Sequence, residues 1–97
     1  MSVRVRIPMA LQAYAEQRDE VEVQAATVDD ALARLAERYP RLGLHLLGDD
    51  GRVRRFVSVF LNDDDVRHLG GGAAAVSSGD VVTLVPSVAG GAAPPAP

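Results

Sequence analysis

The sequence predicts an α+β fold, one sheet with one main helix packed across one of its faces. Three observations predict it. Val3-Arg4-Val5-Arg6-Ile7 and Glu20-Val21-Glu22-Val23-Gln24 both alternate apolar with polar or charged residues at a period of two. One segment, opening at Thr27, repeats its apolar residues at helical spacing. Two further apolar runs, residues 55–61 and 81–85, are rich in β-branched and aromatic residues. Period two marks a half-buried strand and period 3.6 an amphipathic helix, so strands and helix share one core. At 97 residues the chain holds one domain with one modest core.

In the first strand Val3, Val5 and Ile7 share one face, and Pro8 stops the run. Val21 and Val23 supply the matching face of the second. Arg4 and Arg6 then meet Glu20 and Glu22 across an antiparallel pair, each opposite-charge contact contributing roughly 0.2–1 kcal/mol. Between these strands Leu11 and Tyr14, three apart, close one end of the core on a short helical turn. Thr27 with Asp30 makes a capping-box-like pair at the start of the main helix, and Asp29 and Asp30 sit at the positive end of its dipole. Val28, Ala31, Leu32, Leu35 and Tyr39 form its apolar stripe, with Asp30 and Arg34 an i,i+4 pair on the wet side. Pro40 ends the helix, since it restricts Tyr39 and supplies no N–H.

Leu42, Leu44, Leu46 and Leu47 are expected in a short irregular or helical segment beneath the sheet edge. After a turn at residues 48–51, residues 55–61 read as a central strand, apolar on both faces. Asn62 to Asp65 is expected to turn the chain, and Val66-Arg67 to continue as a short strand. Gly70-Gly71-Gly72 is a loop, and Ser78-Gly79-Asp80 turns into the last strand, Val81 to Val85. That strand leads through Pro86 to Gly90-Gly91 and then to Ala92-Ala93-Pro94-Pro95-Ala96-Pro97. Residues 1–89 are therefore expected to form the domain and 90–97 a flexible tail. Gly has no Cβ, so the pair is the slimmest backbone a narrow channel can receive.

Composition excludes several functions. The net charge of -3 and pI of about 5.2 argue against general nucleic-acid binding, which needs a basic surface. No apolar run approaches the roughly 18 residues of a membrane span, and no basic start leads into an apolar signal core, so the expected address is the cytoplasm. The chain has no Cys, hence no disulfide, thiolate nucleophile or Cys-bound metal; sulfur chemistry would need another atom to hold the sulfur. All ten basic residues other than His are Arg, so no ε-amino group exists for isopeptide chain-building.

No catalytic constellation stands out. Asp63, Asp64 and Asp65 lack the Gly and closing Glu of a calcium loop and read as a solvated turn, with no metal. His45 and His68 have no Cys, Ser or second His at useful spacing and read as surface residues. The three glycines at 70–72 do not open a helix with a Lys-Ser/Thr ending, so they are no phosphate loop. Arg52, Arg54 and Arg55 form a local basic patch, solvated or used to dock an acidic partner. On these residues the protein is not an enzyme.

The order strand, strand, capped helix, strand, short elements, last strand and Gly-Gly exit resembles the β-grasp, ubiquitin-like domains, whose sheet is mixed. Within them it resembles the MoaD/ThiS sulfur carrier proteins, most of all the branch serving cysteine biosynthesis. The residues carrying the likeness are the run Arg55 to Arg67 with its Asn62-Asp63-Asp64-Asp65 turn, Gly71, Ser78-Gly79-Asp80, and Val82 through Pro86-Ser87-Val88-Ala89 to Gly90-Gly91. Gly-Gly alone is a weak signal; the turns and the Pro-x-Val-Ala-Gly-Gly ending at these separations are specific together. The likeness covers nearly everything except the last six residues.

The resemblance implies a carrier acted on by partners. An adenylyltransferase of the MoaB/MoeZ/ThiF type activates the terminal Gly91 carboxylate, using ATP and Mg that the chain itself does not bind. A sulfurtransferase donor then converts the acyl adenylate to a thiocarboxylate. A cysteine-synthase-like or other acceptor enzyme consumes the sulfur, for cysteine or a specialised product such as a thiosugar. Pro86, Val88, Ala89, Gly90 and Gly91 would line the partner's channel. Phe56, Ser58 and Phe60 are the candidates for the docking surface. Since Gly91 is followed by six residues, a JAMM-type metalloprotease is expected to cut between Gly91 and Ala92. The other readings are a molybdopterin-synthase small-subunit-like carrier, a ubiquitin-like protein modifier, and a non-catalytic β-grasp interaction module.

Overall fold

The computed structural model describes residues 1–48, 53–54 and 57–86. Two strands open it, β1 (Ser2–Arg6) and β2 (Glu20–Gln24), followed by helices α1 (Val28–Arg38) and α2 (Pro40–Leu46). Strands β3 (Val57–Leu61), β4 (Asp64–Asp65) and β5 (Val81–Pro86) complete the sheet. Its order is β2-β1-β5-β3-β4, with β1 and β5 parallel and the other pairs antiparallel, so the sheet is mixed as expected.

Alternation along each strand decides which face is covered. Val3, Val5, Val21, Val23, Val59, Leu61, Val82 and Leu84 are buried against Val28, Ala31, Leu32 and Leu35 of α1. Fully burying side chains of this size stabilises the fold by about 1.5–3 kcal/mol each. The helix begins where its sequence says it should. Thr27 Oγ1 accepts from the Asp30 N–H at 3.1 Å. The return bond departs from the usual box: Asp30 Oδ2 accepts from the Ala26 N–H at 3.1 Å, one residue before the cap. Asp30 also pairs with Arg34 at 3.6 Å.

Pro40 has two roles. It holds Tyr39 out of helical geometry, ending α1, and it opens α2 at the first position, where a missing N–H costs nothing. The expected leucine segment is this helix: Leu42 and Leu46 are buried, Leu47 packs at the margin, and Leu44 faces solvent. Gly43 lets the two helices approach, since a Cβ there would lie 2.7 Å from that of Ala36. Leu11 and Tyr14 pack against the core from a 3-10 segment, Met9–Ala15.

Four expectations need correction. β3, the described part of the run 55–61, has a strand on either side as expected, but the middle of the five is β5, and β3 lies one place off it beside the two-residue β4. Only one face of β3 is fully buried, through Val57, Val59 and Leu61, while Ser58 and Phe60 are half-exposed. The turn after β3 is tighter than four residues. Leu61 pairs with Asp64, Asn62 takes a left-handed φ of 56°, and the returning strand is Asp64–Asp65. Val66-Arg67 accordingly lies in a 3-10 turn, Val66–His68, not a strand. Finally β1 spans Ser2–Arg6, so the buried Ile7 follows the strand.

Candidate functional site

The candidate site is the exit of β5 together with the sheet face that no helix covers among the described residues. Val82 and Leu84 point into the core, 0% and 2% exposed, which anchors the strand from beneath. Val81, Thr83 and Val85 take the opposite face by alternation, and Val85 is 40% exposed. Pro86 sits opposite Val57 and is the last paired residue of β5. Proline has no N–H to continue a ladder, so it suits the end of a strand. Of the proposed channel residues, Pro86 is half-buried at this exit; Val88, Ala89, Gly90 and Gly91 lie outside the described residues, as does the processing position Ala92.

Two of the three docking candidates are brought together. Ser58 is opposite Val85, and Phe60 is opposite Thr83. Phe56 lies outside the described residues. Sequence reasoning missed Thr83 and Val85 on the same face, although the parity of Val82 and Leu84 as core residues would have indicated them, and it placed Arg6 on the outer face without joining it to the docking candidates. The register runs Glu20, Arg6, Thr83, Phe60, Asp65 across five strands. A narrow apolar spot, Phe60 and Val85, is thus flanked by polar and charged side chains.

The turns beside the face are held by side chains. Asp80 accepts from the Ser77 N–H at 2.8 Å, and Asn62 Oδ1 accepts from the Val81 N–H at 3.1 Å. Gly79 takes a φ of 89°, a conformation suited to glycine. Asp65 caps the next turn by accepting from the Arg67 N–H at 2.9 Å. It also grips the Arg67 guanidinium through both oxygens, one at 2.6 Å. The Arg67 side-chain bonds, reinforced by its backbone N–H, lower the Asp65 carboxyl to about 2, and the same pairing raises Arg67.

Other candidates are used structurally. Arg54 Nε and a terminal nitrogen both donate to the Leu44 carbonyl, at 3.1 and 3.0 Å, which satisfies the end of α2. Arg52 and Arg55 lie outside the described residues. His45 is exposed and stacks on Tyr14 with ring centroids 4.2 Å apart; His68 is exposed. A cleft of about 560 Å³ lies between α1 and β3, lined by Val28, Asp29, Leu32, Val57, Val59 and Gly72 among others. Among the described residues no group of three or more His, Asp or Glu is placed to hold a metal. No helix among them is long and apolar enough to cross a membrane.

Comparison with known proteins points in one direction. The ThiS family model matches residues 5–91. The sulfur carrier protein CysO of Mycobacterium tuberculosis is 36% identical over 93 residues, covering 94% of this chain and 100% of that protein. Small archaeal modifier protein 3 of Haloferax volcanii is 44% identical over 66 residues, 68% of this chain and 71% of that protein. The crystal structure of the Amycolatopsis orientalis BexX/CysO complex contains a chain that superposes with a TM-score of 0.82 at 36% identity. The superposition covers 92% of this chain and 99% of that one. A match running from the first strand to the second glycine of the pair, with the CysO relative aligned along its whole length, makes this chain a member of the ThiS family.

Proposed function

We propose that this chain is a sulfur carrier protein, a co-substrate on which partner enzymes act in the cytoplasm. The observation supporting it most directly is the family match, which ends at residue 91, the second glycine. In this reading a JAMM-type protease removes residues 92–97 and frees the Gly91 carboxylate. A carboxylate is a poor electrophile, so a ThiF-type adenylyltransferase joins its oxygen to the α-phosphorus of ATP, with Mg, and releases pyrophosphate. The persulfide sulfur of a sulfurtransferase donor then attacks the acyl carbon and expels AMP, and a second thiol reduces the resulting acyl disulfide, leaving with the donor as a disulfide. The product is a Gly91 thiocarboxylate, a soft nucleophile that needs no Cys on the carrier. An acceptor enzyme takes that sulfur for cysteine or for a specialised metabolite such as a thiosugar, with a molybdopterin pathway the alternative within the same chemistry.

The described body suits this work. β5 is pinned between two strands and ends at Pro86, so a partner receives the following residues at a defined place. Phe60 and Val85 offer an apolar spot on the uncovered face close to that exit.

A second reading has its own support in the likeness to an archaeal modifier protein. An activated Gly91 would then be attacked by a lysine amine of a target to form an isopeptide. The absence of Lys here would limit such a modifier to single additions through side chains.

The intact mass of the protein from its native host tests both readings. The carrier reading expects a species ending at Gly91, part of it heavier by one oxygen-to-sulfur exchange. A chain still ending at Pro97 that gains no sulfur when adenylyltransferase and donor are supplied would overturn it. Branched Gly91–lysine peptides in a digest of host proteins would favour the modifier.

A further inference from the structure

Arg6 stands apart among the charged side chains of the uncovered sheet face. The sequence offers it Glu20 as its cross-strand partner, and the register does place the two opposite each other. The ion pair nonetheless forms diagonally, between Arg4 and Glu20 at 3.9 Å. Glu22, opposite Arg4, accepts instead from the Ser2 hydroxyl. At the far edge Asp65 and Arg67 hold each other. Among the described residues, Arg6 is the charged group of this face left with neither an ion pair nor a side-chain hydrogen bond.

Its position gives that exposed charge a use. Arg6 is the immediate neighbour of Thr83, which neighbours Phe60, so the guanidinium borders the apolar spot. Arg6, Ile7, Pro8, Thr83 and Leu84 line a notch of about 250 Å³. An apolar centre with an arginine on its margin is the composition of a protein interface, where arginine is enriched and charge complementarity selects the partner.

We infer that Arg6 is a specificity-determining residue: it receives a carboxylate of the protein that covers Phe60 and Val85. The inference rests on the carrier reading, in which that protein is the activating adenylyltransferase. Arg4 sits on the same strand and face but already has Glu20, so the two arginines serve as an internal comparison. Exposed pairs such as Arg4–Glu20 are worth little and are screened by salt. A pair enclosed at an apolar contact is worth more.

The test is binding of the chain ending at Gly91, the form that the carrier reading activates, to the host's purified ThiF-type adenylyltransferase, at low and raised salt. Far-UV circular dichroism checks that each variant is folded. Arg6→Glu is expected to weaken binding by about tenfold or more and to flatten its salt dependence, whereas Arg4→Glu shifts it by less than about threefold. Phe60→Asp is expected to abolish it. If Phe60→Asp abolishes binding and Arg6→Glu leaves it unchanged, the inference is overturned while the docking face and carrier reading stand. Equal losses for Arg4→Glu and Arg6→Glu would also overturn it, since net charge would then account for both. If the chain ending at Gly91, with no substitution, does not bind, the carrier reading falls and takes the role of Arg6 with it.

Discussion

Asp65 shows how much one side chain can hold in place. Its carboxylate accepts from the Arg67 backbone N–H and from two N–H groups on one edge of the Arg67 guanidinium, Nε and a terminal nitrogen, so the 3-10 turn after β4 closes on itself. The same bonds lower its pKa to about 2, against about 3.9 in an unfolded chain. A depressed acid stabilises the fold above the unfolded value, and that contribution is lost as pH falls through the folded one. The corner is therefore expected to stay intact down to about pH 3 and to weaken below it. A carboxyl-carbon NMR titration should place the Asp65 midpoint near 2, and Arg67→Ala should move it up toward about 3.9. An unmoved midpoint would show that the pair does not cause the shift. The three consecutive aspartates suggested only a solvated turn, because a string of letters does not show which of them faces an arginine.

At the scale of elements, α1 is the best-written part of the chain. Its stripe, cap, dipole charges and stop signal all agree, and each lies within one stretch of about a dozen residues. The Thr27 cap satisfies one of the free N–H groups of the first turn. Thr27→Ala should cost about 1 kcal/mol, read as a lower urea midpoint with an unchanged slope. No shift in the midpoint would mean that Asp30, bonded to the Ala26 N–H, holds this end without the threonine. The strands were less legible. Residues 55–61 looked central because Phe56, Ser58 and Phe60 break the polar alternation. The half-exposure of Ser58 and Phe60 has another cause: their side of the sheet carries no helix in the described structure, and apolar residues there form a contact surface.

For the whole molecule, the core leads to the expectation that the tail can be altered without unfolding the body. Among the described residues the last buried member of the core is Leu84, and the last paired residue is Pro86. A chain ending at Ala89 should thus unfold within about 0.5 kcal/mol of the full chain in urea, the range of substitutions remote from the core. It should at the same time fail to gain sulfur. A large loss of stability would place part of the folding energy beyond Pro86 and overturn the separation of body and tail. The pairing of β1 with β5 serves the same division of labour. The chain's first and last strands lie side by side at the centre of the sheet, so the exit rests on the most interior ladder.

Local signals were sufficient for the elements themselves: two alternating strands and their register, one capped helix, and the glycine turn before β5. These depend on neighbours a few residues apart, where spacing decides which side chains share a face. The residues from Arg55 onward, among them the turn at Asn62 to Asp65 and the Gly-Gly ending, were also enough to suggest the family. Only the tertiary structure decided that β5 is central, that β4 is a two-residue return, and that Pro40 starts a second helix. It alone showed that Arg4 takes the carboxylate facing Arg6. Those outcomes are competitions between partners distant in sequence, such as Arg4 with Arg6 for Glu20, or β3 with β5 for the middle of the sheet. Geometry in three dimensions settles them, because several pairings satisfy the same local pattern and only one packs.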